Sequence, residues 1–160
     1  MYYEIDGEIP IQIPPKLIEL TLEFAADYLS VPFDTWLLIS FDQFETADAY
    51  IYDIDLDEKL LDVSFNNELN RERFVIAVLH EMVHVAQIVS GRLIQQAENV
   101  WEGAVWKGST YHEYPWEVEA FHLEHDMHQQ IINRRWYAGL VGLADHRAGS
   151  EQHHRDVDPC

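Results

Sequence analysis

Apolar residues Val75, Leu79, Met82, Ala86 and Val89 recur at alternating steps of four and three, which predicts an amphipathic helix over about residues 68–90. Gly91 stands where its C-terminal cap belongs. Residues 14–30 place Leu17, Leu20, Phe24 and Tyr28 at near-helical spacing behind Pro14 and Pro15, and predict an earlier helix. Between the two, residues 36–41 and 49–54 are short β-branched and aromatic runs separated by a polar stretch, and read as adjacent strands. Residues 59–65, closed by the turn signal Asn66-Asn67, read as a third strand. Residues 92–115, rich in Trp, Gly and Tyr, read as a loop. A further helix then carries Trp116, Ala120, Leu123, Met127 and Ile131 on one face. Periodicity ends near residue 145, so the expectation is one domain over residues 1–145 and a polar tail over 146–160, without internal repeats.

Composition narrows the functional classes. A chain of 160 residues, 48% hydrophobic, suffices for one ordinary core and is short for two. No stretch approaches the roughly 20 apolar residues a membrane helix needs. The N-terminal MYYEIDGEIP has neither the basic nor the apolar region of a secretion signal, so a soluble, cytoplasmic chain is expected. The only cysteine, Cys160, can form no internal disulfide or thiolate cluster, so any metal would have to use His, Asp or Glu. A formal charge of −19 repels phosphates and anionic lipid, which argues against nucleic-acid and membrane partners. The same charge would attract a basic peptide, although solvated acidic groups serve solubility as readily.

One motif carries chemistry. His80-Glu81-Met82-Val83-His84 lies inside the strongest predicted helix, and residues four apart on a helix stand on one face, so both imidazoles can reach one ion. With 9 His and 16 Glu in 160 residues, H-E-x-x-H would arise by chance about 0.05 times per chain, before any demand for a helix. Zinc accepts neutral imidazole nitrogen, and a catalytic zinc keeps three protein ligands and an open position. Glu81, beside the first ligand, is the candidate general base for a zinc-activated water.

A third ligand is expected from Pro115-Trp116-Glu117-Val118-Glu119-Ala120. Glu117 and Glu119 flank the apolar stripe at similar angles, and periodicity does not choose between them. Either also serves as a carboxylate at a helix N-terminus, which needs no metal. His122 and His125 have ligand-like spacing and form a three-histidine alternative, as in SprT-like proteases, against the simpler reading of a solvated helix face.

An H-E-x-x-H helix followed some thirty residues later by Glu-x-x-Ala resembles the gluzincin branch of the zincin metallopeptidases. In gluzincins such as the CAAX-prenyl-protease and ImmA/IrrE-type families the first Glu of a similar motif is the ligand, and the resemblance carries that role to Glu117. Phe121 stands where those families have Asp or Asn, which removes their usual partner for a zinc-bound histidine. HEMVHVAQ, Gly91, Trp106-Lys107-Gly108 and PWEVEA also resemble short zincin-like proteins encoded by bacteriophages, over about residues 70–130, which would make the compartment a host cytoplasm.

The resemblance implies an α+β zincin-like domain: a short, mainly antiparallel sheet, the H-E-x-x-H helix, and a C-terminal helix supplying the third ligand. It implies a zinc metalloendopeptidase with His80, His84 and Glu117 as ligands, Glu81 as base, and a peptide or protein substrate paired along the last sheet strand. The alternative is a zincin-fold zinc protein that binds a partner without hydrolysing it. A third possibility is a metal-independent interaction module. Tyr111, His112 and Tyr114 are candidate oxyanion donors that packing explains equally well. Gln87, one turn beyond His84, could border the site but reads more simply as an exposed helix position, and His153, His154 and Cys160 read as tail residues able to touch a metal only weakly.

Overall fold

A computed structural model of the chain describes residues 1–55, 57–95, 98–107, 110 and 113–142. They form an α+β arrangement of four helices and two sheets, in the order β1 (Tyr2–Ile5), α1 (Pro15–Leu29), β2 (Trp36–Asp42), β3 (Ala49–Asp55), β4 (Leu60–Asn66), α2 (Arg71–Val89), β5 (Leu93–Ile94), β6 (Val100–Trp101), β7 (Ala104–Val105), α3 (Pro115–Ile131) and α4 (Arg135–Val141). The expected tail over 146–160 lies outside the described residues. Among those described, no helix is long and apolar enough to cross a membrane.

The main sheet is mixed, with order β1-β2-β4-β3, rather than mainly antiparallel. β1 and β4 both run parallel to β2, and only β3 is antiparallel, to β4. The cause is topological: α1 carries the chain from β1 back to the same end of the sheet before β2, as a parallel pair requires. The two runs expected to be neighbours, β2 and β3, are separated by β4. The last strand is therefore interior, and the sheet edges are β1 and β3.

Alternation assigns the two faces of the sheet. Leu37 and Ile39 of β2 align with Leu61 and Val63 of β4, and all four are buried. The opposite face carries Tyr2, Trp36 and Leu60 in one register row, each exposed. α1 and α2 supply the other half of the core. α1 buries Leu17, Ile18, Thr21, Leu22 and Ala25, a stripe rotated from the expected row, leaving Tyr28 at the surface. Thr21 tolerates burial because its hydroxyl donates to the Leu17 carbonyl at 2.7 Å.

α2 is the central element, contacting α1, α3, α4, β3, β4 and β5. Asn70 caps its start, accepting from the Arg73 N–H at 2.9 Å. Phe74 packs against Phe65 at 5.2 Å and Phe41 at 5.9 Å between ring centres, which pins the first turn of α2 to the sheet. At the other end Gly91, with φ of 73°, allows its own N–H to reach the Ile88 carbonyl and that of Arg92 to reach the Gln87 carbonyl, a Schellman turn. That turn folds Arg92 back along the helix.

The stretch expected to be a loop contains the three short strands β5, β6 and β7, paired in that order. Glu102 and Gly103, both at positive φ, form the two-residue turn between β6 and β7. α3 crosses α2, and α4 follows it as a further short helix, so the helix bearing Glu117 is not the last.

Candidate metal centre

His80 and His84 occupy successive turns of α2, and their Nε2 atoms lie 3.2 Å apart. α3 faces them across the helix interface. Ala120, fully buried, offers no bulk there, and Pro115 starts α3 so that Glu117 falls in its first turn. The Glu117 carboxylate straddles the two rings, with Oε2 at 3.4 Å from His80 Nε2 and Oε1 at 3.5 Å from His84 Nε2. His80, His84 and Glu117 thus form a group that can hold a metal ion. Glu117 and His84 are 5% and 7% exposed, which sets the group apart from the solvated carboxylates that cover this chain.

Each imidazole is held from behind. His80 Nδ1 lies 3.0 Å from Glu124 Oε2, and His84 Nδ1 lies 2.9 Å from Gln87 Oε1. Glu124 is one turn beyond Phe121 on α3, so the carboxylate absent at residue 121 is supplied from a different position. Phe121 itself lies against the His80 ring, with centres 4.9 Å apart. Gln87 is 1% exposed rather than a surface residue, because α3 covers that side of α2.

The charges are strongly coupled. Burial opposes a charge on His80, but its hydrogen bonds to Glu117 and Glu124 and the nearby charge of Glu81 outweigh that, and its pKa is pushed up to about 9. Burial likewise opposes a charge on His84, and Glu117 and Glu81 reverse the sign and raise its pKa. Glu81, partly buried, has its own pKa raised above the ordinary glutamate value, chiefly by burial, against the lowering influence of His84 and His80. A site whose carboxylates draw protons onto two facing imidazoles is a site that attracts cations.

The other candidates separate cleanly. Glu119 turns away from the triad and pairs with Arg92 at 2.9 and 3.1 Å, which keeps its pKa low despite partial burial. His122 and His125 lie on the exposed side of α3, His122 facing Asp126 at 3.6 Å. His128 bonds the Tyr137 hydroxyl at 3.1 Å. Tyr114 stacks on Trp116 with centres 4.7 Å apart. Tyr111, His112, His153, His154 and Cys160 lie outside the described residues. Sequence reasoning missed Glu124, whose signal was its spacing of seven from Glu117, two turns along the same helix face. Comparison with protein-family models, with curated proteins and with solved structures returned no match.

Proposed function

We propose that this chain is a zinc-dependent metallopeptidase of the gluzincin type, in which His80, His84 and Glu117 hold the metal and Glu81 is the general base. The observation that carries the reading is the convergence of two imidazole nitrogens and one buried carboxylate, with one donor atom from each residue within 4.8 Å of the others. Ligands at 2.0–2.1 Å around a tetrahedral zinc stand about 3.3 Å apart. The two imidazole nitrogens stand 3.2 Å apart, close to that separation, and Glu117 approaches each of them with a different oxygen, at 3.4 and 3.5 Å. Two imidazoles and one carboxylate are also a donor set that zinc accepts in hydrolytic sites. When bound, zinc would supply a Lewis acid and lower the pKa of water to about 7.

The remaining chemistry belongs to the chain. Glu81 follows His80 directly on α2, and its raised pKa suits it to take a proton from water and return it to a leaving amine. Glu124 and Gln87 hold the two rings in place from behind. β3, an edge strand packed against α2, is the strand along which an extended peptide would pair, in place of the interior β4.

Zinc per chain in untagged protein, together with hydrolysis of a peptide library, tests the reading. Wild type and Glu81→Gln should both carry about one zinc, and only wild type should cleave. Wild type without zinc overturns the metal assignment; undiminished cleavage by Glu81→Gln overturns the role of the base. Zinc without cleavage in either favours the partner-binding alternative.

A further inference from the structure

Gln87, which holds the His84 ring from behind, is itself held in one orientation from outside the site. Its side-chain nitrogen lies 3.0 Å from the Trp116 carbonyl and 2.8 Å from Glu119 Oε2. A carbonyl and a carboxylate only accept, so the amide nitrogen is required on that side and its oxygen must face the other way. That oxygen is 2.9 Å from His84 Nδ1, and it too can only accept. His84 therefore carries a proton on Nδ1, and in the neutral ring the lone pair of Nε2 is aimed at the point shared with His80 and Glu117.

The anchor of Gln87 is itself anchored. Glu119 accepts two bonds from the Arg92 guanidinium, which also bonds Glu102 at 2.9 Å in the turn between β6 and β7 and lies over the Trp101 ring at 4.7 Å. Arg92 reaches this position through the Schellman turn, whose long bond ends on the backbone carbonyl of Gln87. A chain of contacts thus runs from the β5-β7 sheet through Arg92, Glu119 and Gln87 to His84.

We propose that Gln87 is a positioning residue that fixes the tautomer and ring orientation of His84, with Glu119 fixing Gln87 in turn. This rests on the zinc reading above. The two histidines are then held unequally: His80 by a carboxylate and His84 by a neutral amide whose direction is imposed from outside the site.

The test uses the full chain loaded with zinc. Zinc affinity is measured by competition with a chelator, and the Nδ1–H protons of His80 and His84 are followed by NMR, for wild type, Gln87→Leu, Glu119→Leu and Glu119→Gln. Glu119→Gln keeps a carbonyl oxygen that accepts from Gln87, whereas Glu119→Leu leaves the Gln87 amide nitrogen held by the Trp116 carbonyl alone. Gln87→Leu should lose about 10- to 100-fold in zinc affinity, and the protected Nδ1–H signal of His84 should vanish while that of His80 stays. Glu119→Leu should weaken both to a lesser degree, and Glu119→Gln should keep most of both. Wild-type affinity and an intact His84 signal in Gln87→Leu would overturn the proposal, as would a Glu119→Leu variant no different from Glu119→Gln. Wild type that takes up no zinc overturns the underlying metal reading instead.

Discussion

In chelator-treated protein the stability of the fold should fall as pH rises from 6 to 10, and His80 should account for most of a distinctive part of that fall. The ring's pKa is pushed up to about 9, from an ordinary value of 6.5, because Glu117, Glu124 and Glu81 outweigh the effect of burial. A folded-state pKa above the unfolded one means that the protonated ring favours folding. Its contribution is complete below about pH 6.5 and is lost as pH passes through about 9. A gap of about 2.5 pH units, at about 1.4 kcal/mol each, amounts to about 3–4 kcal/mol, of which about 3 kcal/mol falls between pH 6 and pH 10. Urea unfolding at each pH gives the free energy by linear extrapolation, and His80→Asn provides the reference against which titrating groups remote from the site cancel. The difference between the two proteins should be about 3 kcal/mol larger at pH 6 than at pH 10. A difference that stays constant across the range would refute the assigned proton and the cation-attracting character built on it. With zinc present the ion takes the place of that proton, so calorimetry at pH 7.5 in buffers of different ionisation enthalpy should report at least one proton released per zinc bound.

Removing the helix cap with Asn70→Ala should cost about 1 kcal/mol in urea unfolding and leave zinc stoichiometry unchanged, since the cap lies at the far end of α2 from His84. Phe74→Ala should cost about 3–5 kcal/mol, because the ring is fully buried between Phe41 and Phe65; a loss under about 1 kcal/mol would mean that α2 is held to the sheet elsewhere. Zinc at 1,000 times its dissociation constant should stabilise the wild-type fold by about 4 kcal/mol, read as a rise in melting temperature, and should leave Glu117→Gln nearly unmoved at that concentration.

What the sequence disclosed is what depends on neighbours along the chain. The four-three spacing through Val75, Leu79 and Met82, and the pairing of His80 with His84, are local properties of one helix. The order of the sheet is not local. Nothing in residues 36–65 tells that β4 inserts between β2 and β3, because turn signals report proximity along the chain and a parallel pair is made by a distant crossover. β5, β6 and β7 have two residues each, too few for a period to register. Glu117 and Glu119 could not be separated by angle, since what separates them is Arg92, 27 positions before Glu119, which claims one and leaves the other to the histidines. Glu124 went unseen, and Gln87 read more simply as exposed than as bordering the site, for a related reason: polar residues on a helix are expected at the surface, and only the docking of α3 on α2 encloses them.

Among the described residues β3 lies at an edge of its sheet, and this bears on how the protein behaves when it is concentrated. An exposed strand edge offers unpaired backbone groups to any other chain and is the usual starting point for self-association into fibrils. β3 pairs regularly with β4 from Ala49 to Tyr52, then slips register before Ile54 and Asp55 resume. That slip breaks the edge into two short pieces, neither long enough to template a continuous strand, and the −19 charge on every copy opposes their approach. The combination leaves the edge open to a single short peptide while discouraging a second copy of the sheet, so the protein should stay dispersed at low salt and lose that protection as salt screens its charge.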